Sequence, residues 1–294
     1  MRNSENMTSE PSLTAVIPFF GKPKLHQQIV SSVQKAIELG IRVVVVCDKD
    51  DTTWKSLVTE SNKIKIVNIN VHDPGSARNI GLAETQTDWI CFWDADDQPI
   101  PERFIQMVAK TKASQRKIGA GAFNIVRARD DQELKTIQSK SSKDFENDFL
   151  AYPGIWRFIF FRELLRHTDF PAISMSEDQI FLGKVINDLG SVFVSDLVVY
   201  NYRIGGNQLT KSVLSRKQIR IALDLMVELG FDRKKEALTI QNKVFLKNSA
   251  TALKVYKSLP IRVVLKLLNL IVSHPFSSYT TLRETLKVTR RIHA

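Results

Sequence analysis

The sequence predicts an α/β fold, a mostly parallel sheet flanked by helices, with an α-helical C-terminal extension. Three observations lead there. Short β-branched runs alternate with helical patterns from Leu13 to about Thr210, as in successive βαβ units. From Ser215 onward only helical periodicity remains, interrupted by Gly230, Pro260 and Pro275. The charge divides at the same place. Residues 1–210 hold 25 Lys and Arg against 26 Asp and Glu, whereas residues 211–294 hold 17 against 5. A chemistry-bearing region, 12–210, and a basic helical region, 211–294, are the expected divisions.

The first strand runs from Leu13 to Phe20. A helix follows, with Leu25, Ile29, Val33, Ala36 and Ile37 on one face and Gly40 placed to end it. Ile41 to Cys47, nearly all Val, is a second strand, and Lys63 to Val71 a third. Ser76 to Thr85 reads as a helix. Trp89 to Trp93 is a fourth strand that runs into the acidic stretch Asp94, Ala95, Asp96, Asp97. Next come a helix from Pro101 to about Ser114 and a strand near Ala120 to Arg127. The charged stretch Arg129 to Asp148 reads as a long hairpin or mobile loop. Trp156 to Phe161 and Ser191 to Tyr202 are strand-like, with a helix between them over Glu177 to Leu189.

With 294 residues, 43% of them hydrophobic, the chain can fill a core. Its net charge of +11 invites a nucleic-acid reading. The excess is confined to the C-terminal part, where no recognition motif is visible, so no nucleic-acid partner is expected. Cys47 and Cys91 lie in apolar runs far apart, which is neither a disulfide framework nor a metal pattern. The N-terminus is polar, and no uncharged apolar run reaches the length of about eighteen residues that a membrane span needs. A cytoplasmic location is expected, with at most a peripheral contact at the inner face of the cytoplasmic membrane.

Chemistry concentrates where strands end, and in open α/β sheets ligands bind beyond those carboxyl ends. Asp94 and Asp96, one residue apart at a strand exit, can converge on a hard divalent cation whose shell is completed by substrate phosphates. The alternative is a turn in which an Asp caps the helix that starts at Pro101. Asp48, Asp50 and Asp51 follow the second strand and read otherwise as a solvated loop. Gly75, with Arg78 one turn on, opens a helix suited to holding phosphate or orienting an acidic loop.

The series VIPFF (16–20), VVVVCD (43–48), GSARNIGL (75–82), WICFWDADD (89–97) and SEDQIF (176–181) resembles the family 2 glycosyltransferases of the GT-A fold over about residues 12–210. The resemblance implies a Rossmann-like nucleotide-binding sheet and transfer of a sugar from a nucleotide-sugar donor, expected to be a UDP-sugar, with inversion. A divalent cation, Mn2+ or Mg2+, is implied as cofactor. Donor contacts fall on Pro18, Phe19, Asp48, Arg78, Asp94 and Arg203, with Phe19 or Phe20 stacking on the donor. The metal falls on Asp96 and Asp94, and the catalytic pair on Glu177 and Asp178, with Asp178 as base. Trp156 falls where relatives meet the acceptor, a glycan or lipid-linked glycan of the bacterial surface; a core Trp is the other reading. Glu177 and Asp178 also suit an acidic first helical turn after a Ser176 cap. The second strand ends CDKDDT where the family has D-D-G-S-T, which puts base contacts by Asp50 or Asp51 in doubt. A nucleotidyltransferase of related fold is the alternative activity, but it needs a Gly-rich loop after the first strand, and FFGKPK supplies one Gly.

After Pro260, Arg262, Lys266, Asn269 and Ser273 share one narrow helical face and apolar residues cover the rest. Such a helix suits an anionic membrane surface, with Arg283, Lys287, Arg290 and Arg291 close by, or packs on the preceding region.

Overall fold

The computed structural model describes residues 12–20, 26–48, 61–186, 188–205, 216–228, 240–275, 278–279 and 281–283. Expectations for Gly21, Asp50, Asp51, the segment 206–210, Gly230, Lys287, Arg290 and Arg291 lie outside the described residues. The strands are β1 (Leu13–Phe20), β2 (Arg42–Asp48), β3 (Ile64–Ile69), β4 (Trp89–Phe92), β5 (Gln98–Pro99), β6 (Ile118–Arg127), β7 (Glu133–Ile137), β8 (Phe158–Phe161) and β9 (Val192–Ile204). The helices are α1 (His26–Glu38), α2 (Pro74–Ala83), α3 (Pro101–Ala113), α4 (Ser142–Ala151), α5 (Glu177–Val185), α6 (Arg216–Glu228), α7 (Ile240–Tyr256) and α8 (Ile261–Ser273).

All nine described strands form one sheet in the order β3-β2-β1-β4-β8-β6-β9-β5, with β7 on β6. The first four strands are parallel, as suits the largely apolar, buried runs of β1, β2 and β4; β3, at the sheet edge, exposes Lys65 and Asn68. Beyond β4 the sheet is mixed: β8 runs antiparallel to both β4 and β6, while β6 and β9 are parallel. Pairing between β1 and β4 stops at Val16 and Phe92, two residues before Pro18, which has no N–H to give. From there β4 leaves the sheet and opens the crevice that holds the acidic turn.

Local signals account for the helix ends. Gly40 takes φ 81° after α1, a backbone state that disfavours any side chain. Asp73 accepts from the Ser76 N–H and Pro74 occupies the first turn, which fixes the start of α2. A Cβ at Gly81 would stand 2.4 Å from Val16 Cγ1, so this helix must present Gly there to lie on β1.

The stretch 129–148 is hairpin only in its first half, where β7 pairs with β6; the rest is α4. Ser141 caps α4 by accepting from Asp144 N–H, and Phe145 and Phe149, one turn apart, are buried. The helix expected to reach Leu189 ends at Val185. One buried cluster runs from Val16 and Phe92 through Phe158 and Phe181 to Leu223, Phe245, Val263 and Leu270, so the C-terminal helices share a core with the sheet.

Candidate active site

Arg78 is the centre of the site. It sits on α2 with its side chain 6% exposed, and donates from Nη1 to Glu177 Oε1 at 2.6 Å and from Nη2 to Asp94 Oδ1 at 2.8 Å. One guanidinium thereby ties the end of β4 to the start of α5. Charge-assisted bonds of this kind are both strong and directional. The Phe170 ring lies 5.6 Å from the guanidinium and stacks on Phe181 at 3.8 Å, with Phe92 edge-on to both rings. That apolar floor excludes water from one side of the ion pairs.

The start of α2 is closed by other contacts. Asn79 exchanges two hydrogen bonds with the backbone of Phe170, and a Cβ on Gly75 would reach 2.2 Å from the Pro171 carbonyl oxygen. Of the two roles open to this helix start, the geometry here is that of orienting an acidic loop.

In the acidic turn, Asp97 points inward and is 2% exposed. Its Oδ1 accepts from Arg203 N–H at 2.8 Å, and the Tyr200 hydroxyl also bonds to its carboxylate. Tyr200 accepts in turn from Asp94 N–H at 2.9 Å. Burial, then Asp96 and Asp94, push the Asp97 carboxyl well above its ordinary range. With Asp97 turned in, Asp94 and Asp96 are the half-buried carboxylates of the turn. Hard oxygen donors of this kind fit Mg2+ or Mn2+. Among the described residues no group of three His, Cys, Asp or Glu could hold a metal, so a cation here draws further oxygens from a ligand or water.

Asp178 follows Glu177 in the first turn of α5 and keeps partial exposure. Burial and then the Glu177 charge raise its carboxyl to about 7, against the pull of Arg78. Ser176 stands at the N-cap position with φ 63° and makes no side-chain cap, so the expected Ser cap is absent. A non-Gly residue in that region is strained by about 1–3 kcal/mol, and the strain lies beside the two carboxylates.

The model of glycosyl transferase family 2 matches residues 14–183, more than half of the chain and all of the residues just described except Tyr200 and Arg203. The chain belongs to glycosyl transferase family 2. It is a glycosyltransferase of GT-A fold with several helices appended. S. aureus TarS 1–349 in complex with UDP-GlcNAc superposes with a TM-score of 0.62 at 17% identity, over 94% of this chain and 91% of that one. A longer S. aureus TarS chain gives 0.57 at 18% identity, and there this chain spans 43% of its length. The mannosyltransferase PcManGT from Pyrobaculum calidifontis, in complex with GDP-Man and Mn2+, gives 0.52 at 16% identity over 97% of this chain and 87% of that one. At such identities the likeness speaks for the fold. No curated protein matches the chain.

Most of the other sequence-predicted residues of this glycosyltransferase are buried. Phe19 is 1% exposed in the core, so its ring has no face for a donor; Phe20, next to it, is exposed and lies near the His72 ring. Pro18 is half-buried in register with Val46. Asp48 is buried, its carboxylate accepting from the Val71 and His72 amides and thereby closing the end of β3 onto β2. Trp156 is buried and stacks on Tyr200 and Tyr202, which places it behind the acidic turn as packing rather than toward an acceptor. The Arg203 guanidinium bonds to the Ala128 carbonyl and to Asp131 at 3.1 Å. A cleft of about 340 Å³ lined by Lys35, Gln98, Pro101 and Asn201 lies by α1 and contains none of the predicted site residues.

Two residues escaped sequence reasoning. Tyr200 holds the acidic turn, but its sequence signal is only that of a strand aromatic. Lys247 on α7 feels the charge of Asp178, while burial lowers its ammonium to about 8. The next residue, Asn248, donates to Gln179 Oε1 at 2.9 Å, so α7 is docked beside Glu177 and Asp178.

Proposed function

We propose that the chain is an inverting, metal-dependent hexosyltransferase that uses a nucleotide diphosphate sugar, with a UDP-sugar as the expected donor. Its acceptor would be a hydroxyl of a glycan or glycolipid in bacterial surface polysaccharide or lipopolysaccharide synthesis. The observation that carries this reading is the Arg78 bridge, which holds the pair Glu177 and Asp178 against the turn bearing Asp94 and Asp96.

The chemistry follows from that juxtaposition. The acceptor hydroxyl attacks the anomeric carbon, a C–O bond forms as the bond to the diphosphate oxygen breaks, and the electron pair leaves on the diphosphate. The hydroxyl proton goes to the Asp178 carboxylate, whose raised pKa matches a base working near neutral pH. One in-line displacement inverts the anomeric centre. A divalent cation at Asp96 and Asp94 would supply charge neutralisation for the leaving diphosphate, so no general acid is required. Arg78 holds Glu177 in place through its Nη1 bond. The donors named in the TarS and PcManGT structures, and the Mn2+ in the latter, support the donor class and the cation.

The test is a thermal-shift and hydrolysis screen of UDP-, GDP- and dTDP-sugars with Mn2+, Mg2+ or EDTA. The reading predicts one donor class that stabilises the protein only with a divalent cation and is slowly hydrolysed. No stabilisation by any nucleotide sugar would count against it.

A further inference from the structure

The helix α8 does not turn its whole polar face outward: Arg262 and Ser273 are exposed, but Lys266 is buried. Its polar-face residue Lys266 is 6% exposed, donating from Nζ to the Met226 and Val227 carbonyls at 2.7 and 3.1 Å and lying over the Phe245 ring. A cation there satisfies the last carbonyls of α6 and the negative end of its dipole. Val263 and Leu270 share that inward stripe and are fully buried. The outward stripe is consequently apolar: Ile261, Leu265, Leu268 and Val272 are 70, 60, 55 and 78% exposed. Their spacing of four, three and four places them on one line of the helix.

The charge around this stripe favours an anionic occupant. From Ile240 to Arg283 the chain has no acidic residue. Lys254, Lys257, Arg262 and Arg283 are exposed around α8. A second copy of the chain would bring the same cations against each other with no carboxylate from this segment to answer them. A surface of anionic headgroups over acyl chains answers both the charge and the apolar line. No described helix is long and apolar enough to cross a membrane, so the contact is interfacial.

We propose that the exposed apolar stripe of α8, flanked by Lys257 and Arg262, seats the protein on an anionic lipid surface. The bond between Asn248 and Gln179 links the same helical layer to α5, so the docked helices sit beside Glu177 and Asp178 and bring the crevice to lipid-linked acceptors. The lipid contact itself stands apart from the transferase reading and is tested separately.

Removing everything after Leu259 is no clean test, because Val263 and Leu270 belong to the core. Outward substitutions are better. Full-length protein is sedimented with vesicles of phosphatidylcholine alone or with phosphatidylglycerol added, at low and high salt, beside the double variant Leu265→Glu, Val272→Glu; light scattering gives the mass of each. The proposal predicts binding only to the anionic vesicles, weakened by salt, at least tenfold weaker in the double variant, with an unchanged melting temperature and unchanged donor hydrolysis. Equal binding to neutral vesicles, equal binding by the variant, or no binding by the wild type would overturn it. So would a dimer of the wild type that the variant dissolves, which would make a second copy the occupant.

Discussion

Arg78 and Glu177, 99 positions apart in the chain, meet at 2.6 Å, and the same guanidinium reaches Asp94 at 2.8 Å on its other side. Because all three side chains are buried or half-buried, each charge depends on the others. Arg78→Met leaves two carboxylates without their cation, and breaking a buried pair in this way costs about 3–5 kcal/mol. The loss should be larger at pH 8 than at pH 5, since Asp178, whose charge Arg78 favours, is ionised at the higher pH and neutral at the lower. Denaturant melts at the two pH values check this. Equal loss at both would mean that Arg78 acts by packing alone.

Asp96→Asn keeps size and removes one negative charge from the acidic turn. The variant should melt like the wild type without ligand, yet lose the stabilisation that a nucleotide sugar with Mn2+ gives, together with most of the transfer activity. Calorimetric titration with Mn2+ and donor measures it. Near wild-type transfer at saturating metal would remove Asp96 from the metal site.

Activity should rise with pH through about 7, because Asp178 must be ionised to accept a proton and its pKa is raised to about 7. Lys247→Met takes a positive charge from the neighbourhood of Asp178, which disfavours the carboxylate and should move the acid limb of the pH profile upward. A structural role for Lys247 would lower the rate at every pH without moving the limb.

Much of this was readable in the chain. The strands β1, β2 and β4 and the acidic turn are legible because a buried parallel strand is a nearly continuous apolar run and its end is marked by polar residues. That same continuity hides which way each side chain points, so Phe19 reads as well as Phe20 for a crevice position, although only Phe20 is exposed. The helix α4 was masked by the charges around Phe145 and Phe149, although its Ser141 cap and four-residue apolar spacing were present. Lys266 shows a different limit: its inward turn is set by the carbonyls of Met226 and Val227, forty positions away, which the pattern of α8 alone does not contain. Trp156 could be placed only once β9 had brought Tyr200 and Tyr202 beside it.

The central claim is that Asp178 is the base, and Asp178→Asn tests it most directly. In the folded wild type the carboxyl is raised from its unfolded value near 4, so its ionisation lowers stability as pH rises toward 7; the Asn variant should melt higher than wild type at pH 8 and equally near pH 4. The decisive measurement is single-turnover transfer beside donor binding with Mn2+ at pH 8. The account predicts unchanged donor affinity and transfer slowed by about 10² to 10⁴, the range for one general base. Transfer at the wild-type rate, or donor affinity lost in proportion to rate, would contradict it.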